Sequence, residues 1–562
     1  MADTGGITTQ GSRTFFFGTS SGINTSALIE AAYNQRVAEA DKMDTRVTNN
    51  TSKYDAYTKL QTLSQAVQTS LTTLRKSYSV LGDVKSAFDS RAATLSTNTA
   101  TEPTKILGVA IDAGTPKGSY DIEIVQKAKN QRVASAATAD PAVALGLAGS
   151  FDVGIPGKTA GTVNITAGMS LTDIAEAINT QSGTTGVAAS VLKVSSTSYQ
   201  LIMSATDTAK EISVTNVTGT DVLDSIGLTS GGTFANELQS ADQAIIVLDG
   251  VTVTRDSNTI DDLIEGVDLV IAKQEPGTTV TLEIGDDSSK VKDAVVGFVN
   301  AYNELRKFVA ANQVVTDGGD VGDDAILFAD VQLKNLTDSV QGLINGSFGN
   351  GGTSMATLRE LGITQDGDNN LLIDEAKLDV AIVSKFDDVR AIFESKVTNA
   401  NPEFAMLGNT SRLKSASISF DITVSGGVIT GVSANGDSSL FDINGTSITG
   451  KAGSIYEGMK FAYVGSTSAT ISFGITQGMG DLLDNTLDTF ADAVTGSLQS
   501  QKISLNDQNK DLSARASRVR DRADDFRNSL IDRYARFESQ IAQSKSVLNQ
   551  IKAILGTSDS NN

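Results

Sequence analysis

The sequence predicts an α+β multidomain protein. Long terminal helices pair as a coiled-coil-like stalk or leg, and β-rich head domains are inserted between them. Two observations point there. Apolar residues recur every three or four positions at both ends of the chain and every second position in between. All six prolines, Pro103, Pro116, Pro141, Pro156, Pro276 and Pro402, lie within residues 103–402. Neither end therefore contains the residue that removes a helix donor and clashes with the preceding turn. The 562 residues suit about three to five domains, and aromatics at 5% imply cores built mainly of Val, Ile, Leu and Ala.

In chain order, residues before Gly22 are polar and Gly-rich and are expected to form a mobile lead. Asn24 or Thr25 is a plausible N-cap. A helical pattern follows through Ile29, Tyr33, Val37, Ala40, Met43 and Val47. It weakens across Thr48 to Ser52, where polar and β-branched residues cluster, and resumes from Tyr54 to Leu81, with Gly82 as the expected stop. Strand-like alternation then appears at Tyr120–Val125, Val187–Val191, Tyr199–Met203, Ile245–Leu248, Val251–Thr254, Leu269–Ala272 and Val280–Ile284. Ser170-Leu-Thr-Asp173 opens a short helix to Asn179 with a near capping box. A further helix is expected over about 290–310. Residues 405–475 read as a second β-rich block, with strands at Ser417–Val424 and Ser468–Phe473.

The C-terminal segment is the most regular. Leu512, Ala516, Val519, Ala523, Phe526 and Leu530 alternate four and three, and Tyr534, Phe537, Ile541, Ser544, Leu548, Ile551 and Leu555 continue the alternation. The extra step of four at the junction reads as a stutter. A continuous helix from Leu498 to Leu555 would be roughly 90 Å long, and an apolar stripe of that length needs a partner. The N-terminal helix is the obvious one. The expected division is therefore 1–50 with 520–562 as a terminal coiled-coil region and 51–105, 286–404 and 476–519 as a helical leg. Residues 106–139 with 240–285 form a β-rich head, 140–239 a second head inserted in the first, and 405–475 an additional β-rich domain.

Composition excludes much chemistry. Without His or Cys there is no Ser-His-Asp or Cys-His catalysis, no disulfide, and no imidazole or thiolate metal site. Gly154-Ile-Pro-Gly157-Lys158-Thr159 has Asp152 where a phosphate loop needs Gly, so it reads as a turn. Asp366-Gly-Asp368-Asn-Asn370 starts like a calcium loop but has Leu371 and Lys377 at the glycine and glutamate positions, and also reads as a turn. The acidic run from Asp317 to Asp324 reads as a solvated loop. Carboxylates are plentiful, but none is marked as a hydrolase pair. Seven arginines from Arg515 to Arg536 alternate with aspartates. They suit i,i+3 and i,i+4 pairs on a solvated helix or pairs across helices and subunits that set register. No cofactor is expected.

The net charge of −21 disfavours nucleic acid and anionic membrane as general partners. No apolar run approaches the ~20 residues of a membrane span, and Met1 to Gly22 lacks a basic region followed by an apolar core. Absence of Cys fits a cytosolic protein or one that leaves the cell. If exported, the chain is expected to use a route without a conventional cleaved signal.

Several segments together resemble the family of bacterial flagellar filament-capping proteins, the hook-associated protein 2 family. They are Ser21–Ile29; Ser170–Asn179 with Gly186–Val191; Leu248-Asp249-Gly250 through Arg255, Asn258 and Ile260 to Leu269; Phe298–Leu305; Leu361-Gly362-Ile363 with Leu371–Leu378; and Arg533-Tyr534-Ala-Arg-Phe537. Their order spans nearly the whole chain. The lead before Gly22 looks longer than usual, and 405–475 looks additional. The resemblance implies a structural, non-enzymatic role as a homo-oligomeric, pentamer-like ring at the distal filament tip, beneath which exported flagellin folds and inserts. It further implies an extracellular location, the flagellar type III pathway, and contacts with flagellin, an export chaperone and the export apparatus, with no nucleic acid and no membrane insertion. The candidate oligomer and filament contacts are the stripe residues Ile29, Tyr33, Val37, Leu530, Tyr534, Phe537, Ile541, Leu548, Ile551 and Leu555. Alternatives are another flagellar axial protein, of flagellin or junction type, and a secreted adhesin whose heads bind a host glycan or surface receptor.

Overall fold

The computed structural model describes residues 6–10, 13–17, 20–76, 85–315, 318–322, 324–349 and 354–558, with side chains from residue 20 to residue 554 of these. The chain divides into two compact units, Met1–Val84 with Lys292–Asn562, and Lys85–Val291.

The first unit contains both terminal helices. Thr25–Leu71 is one continuous helix, with the Asn24 side chain accepting from the Ala27 N–H at 3.0 Å. It does not break across Thr48–Ser52. Instead, the hydroxyls of Thr45, Thr48, Thr51 and Ser52 donate to carbonyls one turn back, at 2.9–3.2 Å. This bonding removes their competition with the helix backbone. Gly82 lies outside the described residues. The lead also departs from expectation: Gly6–Gln10 and Arg13–Phe17 pair as an antiparallel hairpin, Gly6 opposite Phe17. Isolated polar composition hides this because β-branched and aromatic residues alternate within it. The C-terminal helix runs from Ser497 to Ser558.

Shorter helices, Val331–Ile344, Glu375–Ser384, Phe386–Phe393 and Met479–Ala491, accompany the Ser288–Ala311 helix. Polar side chains on the N-terminal helix fix two of them. Tyr57 Oη donates to Asp330 Oδ2 at 2.7 Å, and Asp330 Oδ1 caps the Val331–Ile344 helix through the Gln332 and Leu333 amides. Burial, with the Asp330 carboxylate next in order, raises the Tyr57 phenol well above its usual range. Gln61 and Gln65 both donate to the Ala491 carbonyl, satisfying an acceptor that a helix C-terminus leaves open.

The extra β-rich block consists of two antiparallel four-stranded sheets. One is ordered 396–399, 469–476, 415–425, 428–434 and the other 404–409, 459–463, 447–450, 441–444. Its core departs from the aliphatic expectation. Phe404, Phe420, Phe441, Phe461 and Phe473 cluster with Tyr456 and Tyr463, and Phe404 stacks on Phe461 with centroids 5.2 Å apart. Seven aromatic rings meet in this one core. At the junction of this block with the helices, Asp481 accepts from the Ser395 hydroxyl at 2.5 Å and lies 3.6 Å from Arg75, which also pairs with Asp484 at 2.9 Å. Gln477 and Asn485 donate to backbone carbonyls of residues 409–413.

The second unit is built on a five-stranded antiparallel sheet, 251–255, 244–248, 118–126, 279–286, 91–97, with a three-stranded sheet of 259–264, 267–271 and 107–111. Its core is aliphatic, including Ile122, Ile124, Ile246, Leu269, Val280 and Leu282. The Asp249-Gly250 turn joins two of its strands with both residues at positive φ, 49° and 82°. Two residues at positive φ are what a two-residue hairpin turn requires, and a residue with a Cβ at Gly250 would be strained. A second core lies around the 149–154, 161–165, 213–219 sheet and the 237–239, 132–134, 198–205, 187–195 sheet. The Leu171–Thr180 helix packs Ile174 and Ile178 into it, and its N-terminus carries a complete Ser170–Asp173 capping box. The Gly154 to Thr159 segment is a turn between strands.

Candidate interface on the terminal helices

The two terminal helices run antiparallel. Lys502 donates to Gln61, Asn509 to Thr51, Arg520 to Asp41 and Arg527 to Glu30, so residue numbers rise on one helix as they fall on the other. Small side chains permit close approach: Ala40 is fully buried, and Ala516 and Ala523 nearly so. Val37, Ala40 and Ala516 form one apolar layer with Tyr33, Met43 and Val519 against it, and Ile29 with Ile531 forms another, flanked by Leu530, Tyr534 and Ala535.

Charged groups flank these layers. Arg520 bridges Asp41, at 3.1 Å, and Asp44; Arg527 reaches Glu30 at 3.0 Å. The Arg36 guanidinium lies 3.7 Å from the Phe526 ring centre and that of Arg527 lies 5.2 Å from Tyr33. Arg515 instead pairs within its own helix with Asp511. Pairs within the C-terminal helix and pairs across to the N-terminal helix therefore both occur, at different arginines. Exposed pairs of this kind contribute little stability each; their placement opposite fixed partners sets register.

The buried line on the C-terminal helix passes through Ala516, Ala523, Ile531 and Glu538. From Ala516 to Glu538 this is close to the period of a straight helix, about 3.6 residues per turn, and not the 3.5 of a left-handed coiled coil. The consequence is that Glu538, a polar residue passed over by apolar patterning, takes the seam position beside Phe537. Its carboxylate accepts the Ser20 and Ser21 amides at 3.0 and 3.1 Å and the Ser21 hydroxyl, while Lys545 Nζ donates to the Ser20 carbonyl at 2.5 Å.

The candidate contact residues consequently separate. Ile29 and Val37 are enclosed between the helices, while Tyr33, Leu530, Tyr534 and Ile541 are half-buried. Phe537, Leu548 and Ile551 are about half exposed, and Val547 and Ile554 are exposed beside them. The Leu555 side chain lies outside the described residues. Among the described residues no group of three or more acidic side chains is placed to hold a metal, and no helix is long and apolar enough to cross a membrane. The Asp317–Asp324 run falls partly outside the described residues. The Asp366–Asn370 segment is a turn in which Asp366 binds the Asp368 and Asn370 amides, both at 2.9 Å.

Comparison with known proteins gives three family matches: the flagellar hook-associated protein 2 C-terminus over residues 241–546, its N-terminus over residues 21–131, and the flagellin hook IN motif over residues 152–207. The B-type flagellar hook-associated protein 2 of Pseudomonas aeruginosa is 29% identical over 357 residues, 59% of this chain and 74% of that protein. The flagellar hook-associated protein 2 of Salmonella typhimurium is 32% identical over 223 residues, 37% of this chain and 45% of that protein. Among solved structures, the D1-D2-D3 domains of the Escherichia coli flagellar cap protein FliD superpose with a TM-score of 0.45 at 24% identity, covering 60% of this chain and 90% of that one. FliD from Pseudomonas aeruginosa gives a TM-score of 0.32 at 29% identity, covering 38% and 98%. The C-terminal family match alone spans more than half of the sequence, and the N-terminal match begins where the long first helix is entered: the chain belongs to the flagellar hook-associated protein 2 family.

Proposed function

We propose that the protein is a structural cap at the distal end of the bacterial flagellar filament, retaining exported flagellin and promoting its folding and insertion. The role is mechanical and not enzymatic. The observation that supports it best is the division of the stripe. Within one chain the terminal helices satisfy each other from Ile29 to Met43, yet Phe537, Val547, Leu548, Ile551 and Ile554 remain exposed toward the chain end. A helix face of this kind is suited to ordering on a partner helix. Sister subunits in a ring and flagellin at the filament tip are the partners that the family relationship favours. Export through the flagellar type III route, with a chaperone holding the uncovered C-terminal stripe, belongs to the same reading.

Deletion of the gene tests it. The expected outcome is loss of filaments with unpolymerised flagellin shed into the medium; normal filaments would overturn the reading. A chain carrying Leu548→Asp and Ile551→Asp should fold yet fail to restore filaments to the deletion strain.

A further inference from the structure

The seam between the terminal helices ends on a charged anchor. Glu538 is 6% exposed. Its carboxylate accepts the Ser20 and Ser21 amides and the Ser21 hydroxyl, and Lys545, two turns further along the same helix, donates to the Ser20 carbonyl. Ser20 is thus gripped twice, at its amide by an anion and at its carbonyl by a cation.

Upstream of this grip stands the hairpin of Gly6–Gln10 and Arg13–Phe17. Three peptide steps lead from Phe17 to Ser20, a reach of about 10 Å, so the hairpin stays at this end of the seam. Its Arg13–Phe17 strand packs on the C-terminal helix and its Gly6–Gln10 strand on the N-terminal one. Successive strand positions alternate between faces. The register sets Ile7 opposite Phe16 on one face, with Thr8 opposite Phe15 and Gly6 opposite Phe17 on the other. Either face therefore carries phenylalanine. A two-stranded hairpin is marginally stable alone and gains from an apolar surface to rest on.

Such a surface lies within reach. Ile29, near the start of the N-terminal helix, already meets Ile531, so the antiparallel partner ends close to this point. Beyond it Phe537, Gln540, Ile541, Ser544, Lys545 and Leu548 line an open groove of about 500 Å³. Phe537 and Leu548 are about half exposed. The helix from Phe537 to Leu548 is roughly 16 Å long, and a five-residue strand spans about 17 Å.

We propose that the lead hairpin is a strap for this groove. It closes over Phe537, Ile541 and Leu548 in the free subunit and yields them to the partner that the terminal helices meet on assembly. The grip on Ser20 tethers the strap and leaves the hairpin itself displaceable. The N-terminal family match begins at residue 21, so the strap lies ahead of the matched region. The inference rests on the cap reading for the partner alone; the shielding is measured without one.

The dilute intact chain is compared with a chain lacking residues 2–19 and with Glu538→Ala. The readouts are fluorescence of the dye ANS, which reports exposed apolar surface, and hydrogen exchange over residues 537–545. Removal of the lead should raise dye binding severalfold and quicken exchange there. A synthetic peptide of residues 1–19 in excess should reverse both effects, which a merely misfolded chain would not show. Glu538→Ala should give a smaller rise, and Phe537→Ser with Leu548→Ser in the shortened chain should abolish the gain in dye. No change on removal of the lead, or a gain that survives Phe537→Ser with Leu548→Ser, overturns the strap and leaves the cap reading intact. Normal filaments in the deletion strain would overturn the cap reading and leave the measured shielding standing.

Discussion

Asp481 is a residue whose surroundings change its chemistry. Burial raises its carboxyl from 3.8 to about 6, against the lowering influence of Ser395 and Arg75 and with Asp484 adding to the rise. Folding therefore favours the protonated form. Its contribution is greatest below about pH 4 and declines as pH rises through the window to about 6. Asp481→Asn should remove that slope and leave stability at neutral pH equal or higher, by up to about 3 kcal/mol. Denaturant unfolding at several pH values checks this, and a variant less stable than wild type at neutral pH contradicts it. Elsewhere, Phe461→Ala should cost about 3–5 kcal/mol, since Phe461 is fully buried against Phe404, Phe420, Phe441 and Phe473; a melt followed in the near-ultraviolet reports it. Some single residues were readable from sequence and others were not, for a physical reason. Ser170 and Asp173 stand three positions apart and cap one helix, so their spacing announces them. Asp481 owes its raised carboxyl to burial, and the Arg75 and Ser395 groups that oppose the rise adjoin it only after folding; Arg306 likewise meets the Asp368 carbonyl, 62 residues away, only in the folded chain.

At the scale of elements, the seam between the terminal helices depends on small side chains as much as on apolar ones. Ala516→Leu should force the helices apart and cost about 1–3 kcal/mol by overpacking, lowering amide protection over residues 25–47; unchanged hydrogen exchange there would refute the packing described. The distal part of the C-terminal helix makes the opposite expectation. With Leu548, Ile551 and Ile554 exposed, residues 546–558 of the dilute subunit should exchange freely and become protected on assembly. Strong protection in the isolated subunit would count against the proposed interface. Both terminal helices were legible because their 3.6-residue period extends over many turns. Their detailed seam was less so. Apolar patterning selected Phe537, whereas the position is filled by Glu538, whose carboxylate gains three donors from residues 20 and 21. The lead hairpin escaped notice because strands this short are defined by the partner they pair with and hardly by their own composition.

For the molecule as a whole, alternation of hydrophobic period gave the order of helical and β-rich regions but not the distribution of its core materials. Two of the β-rich cores are mainly aliphatic, and the third mixes seven aromatic rings with isoleucines. Global composition averages over such differences. The pairing of the first helix with the last has a further consequence in time. Arg520 and Asp41 are 479 positions apart, and Glu538 and Ser21 are 517 apart. Closing loops of that length carries an entropic cost that contacts within the seam repay only after both ends are present. The inserted β-rich regions, by contrast, close over shorter spans, from the 244–248 and 251–255 hairpin to the pairing of 91–97 with 279–286. A chain emerging from a channel end first would thus complete its inner regions while its two ends were still unzipped. The seam would act as the final latch, its closure reporting that the entire subunit has arrived.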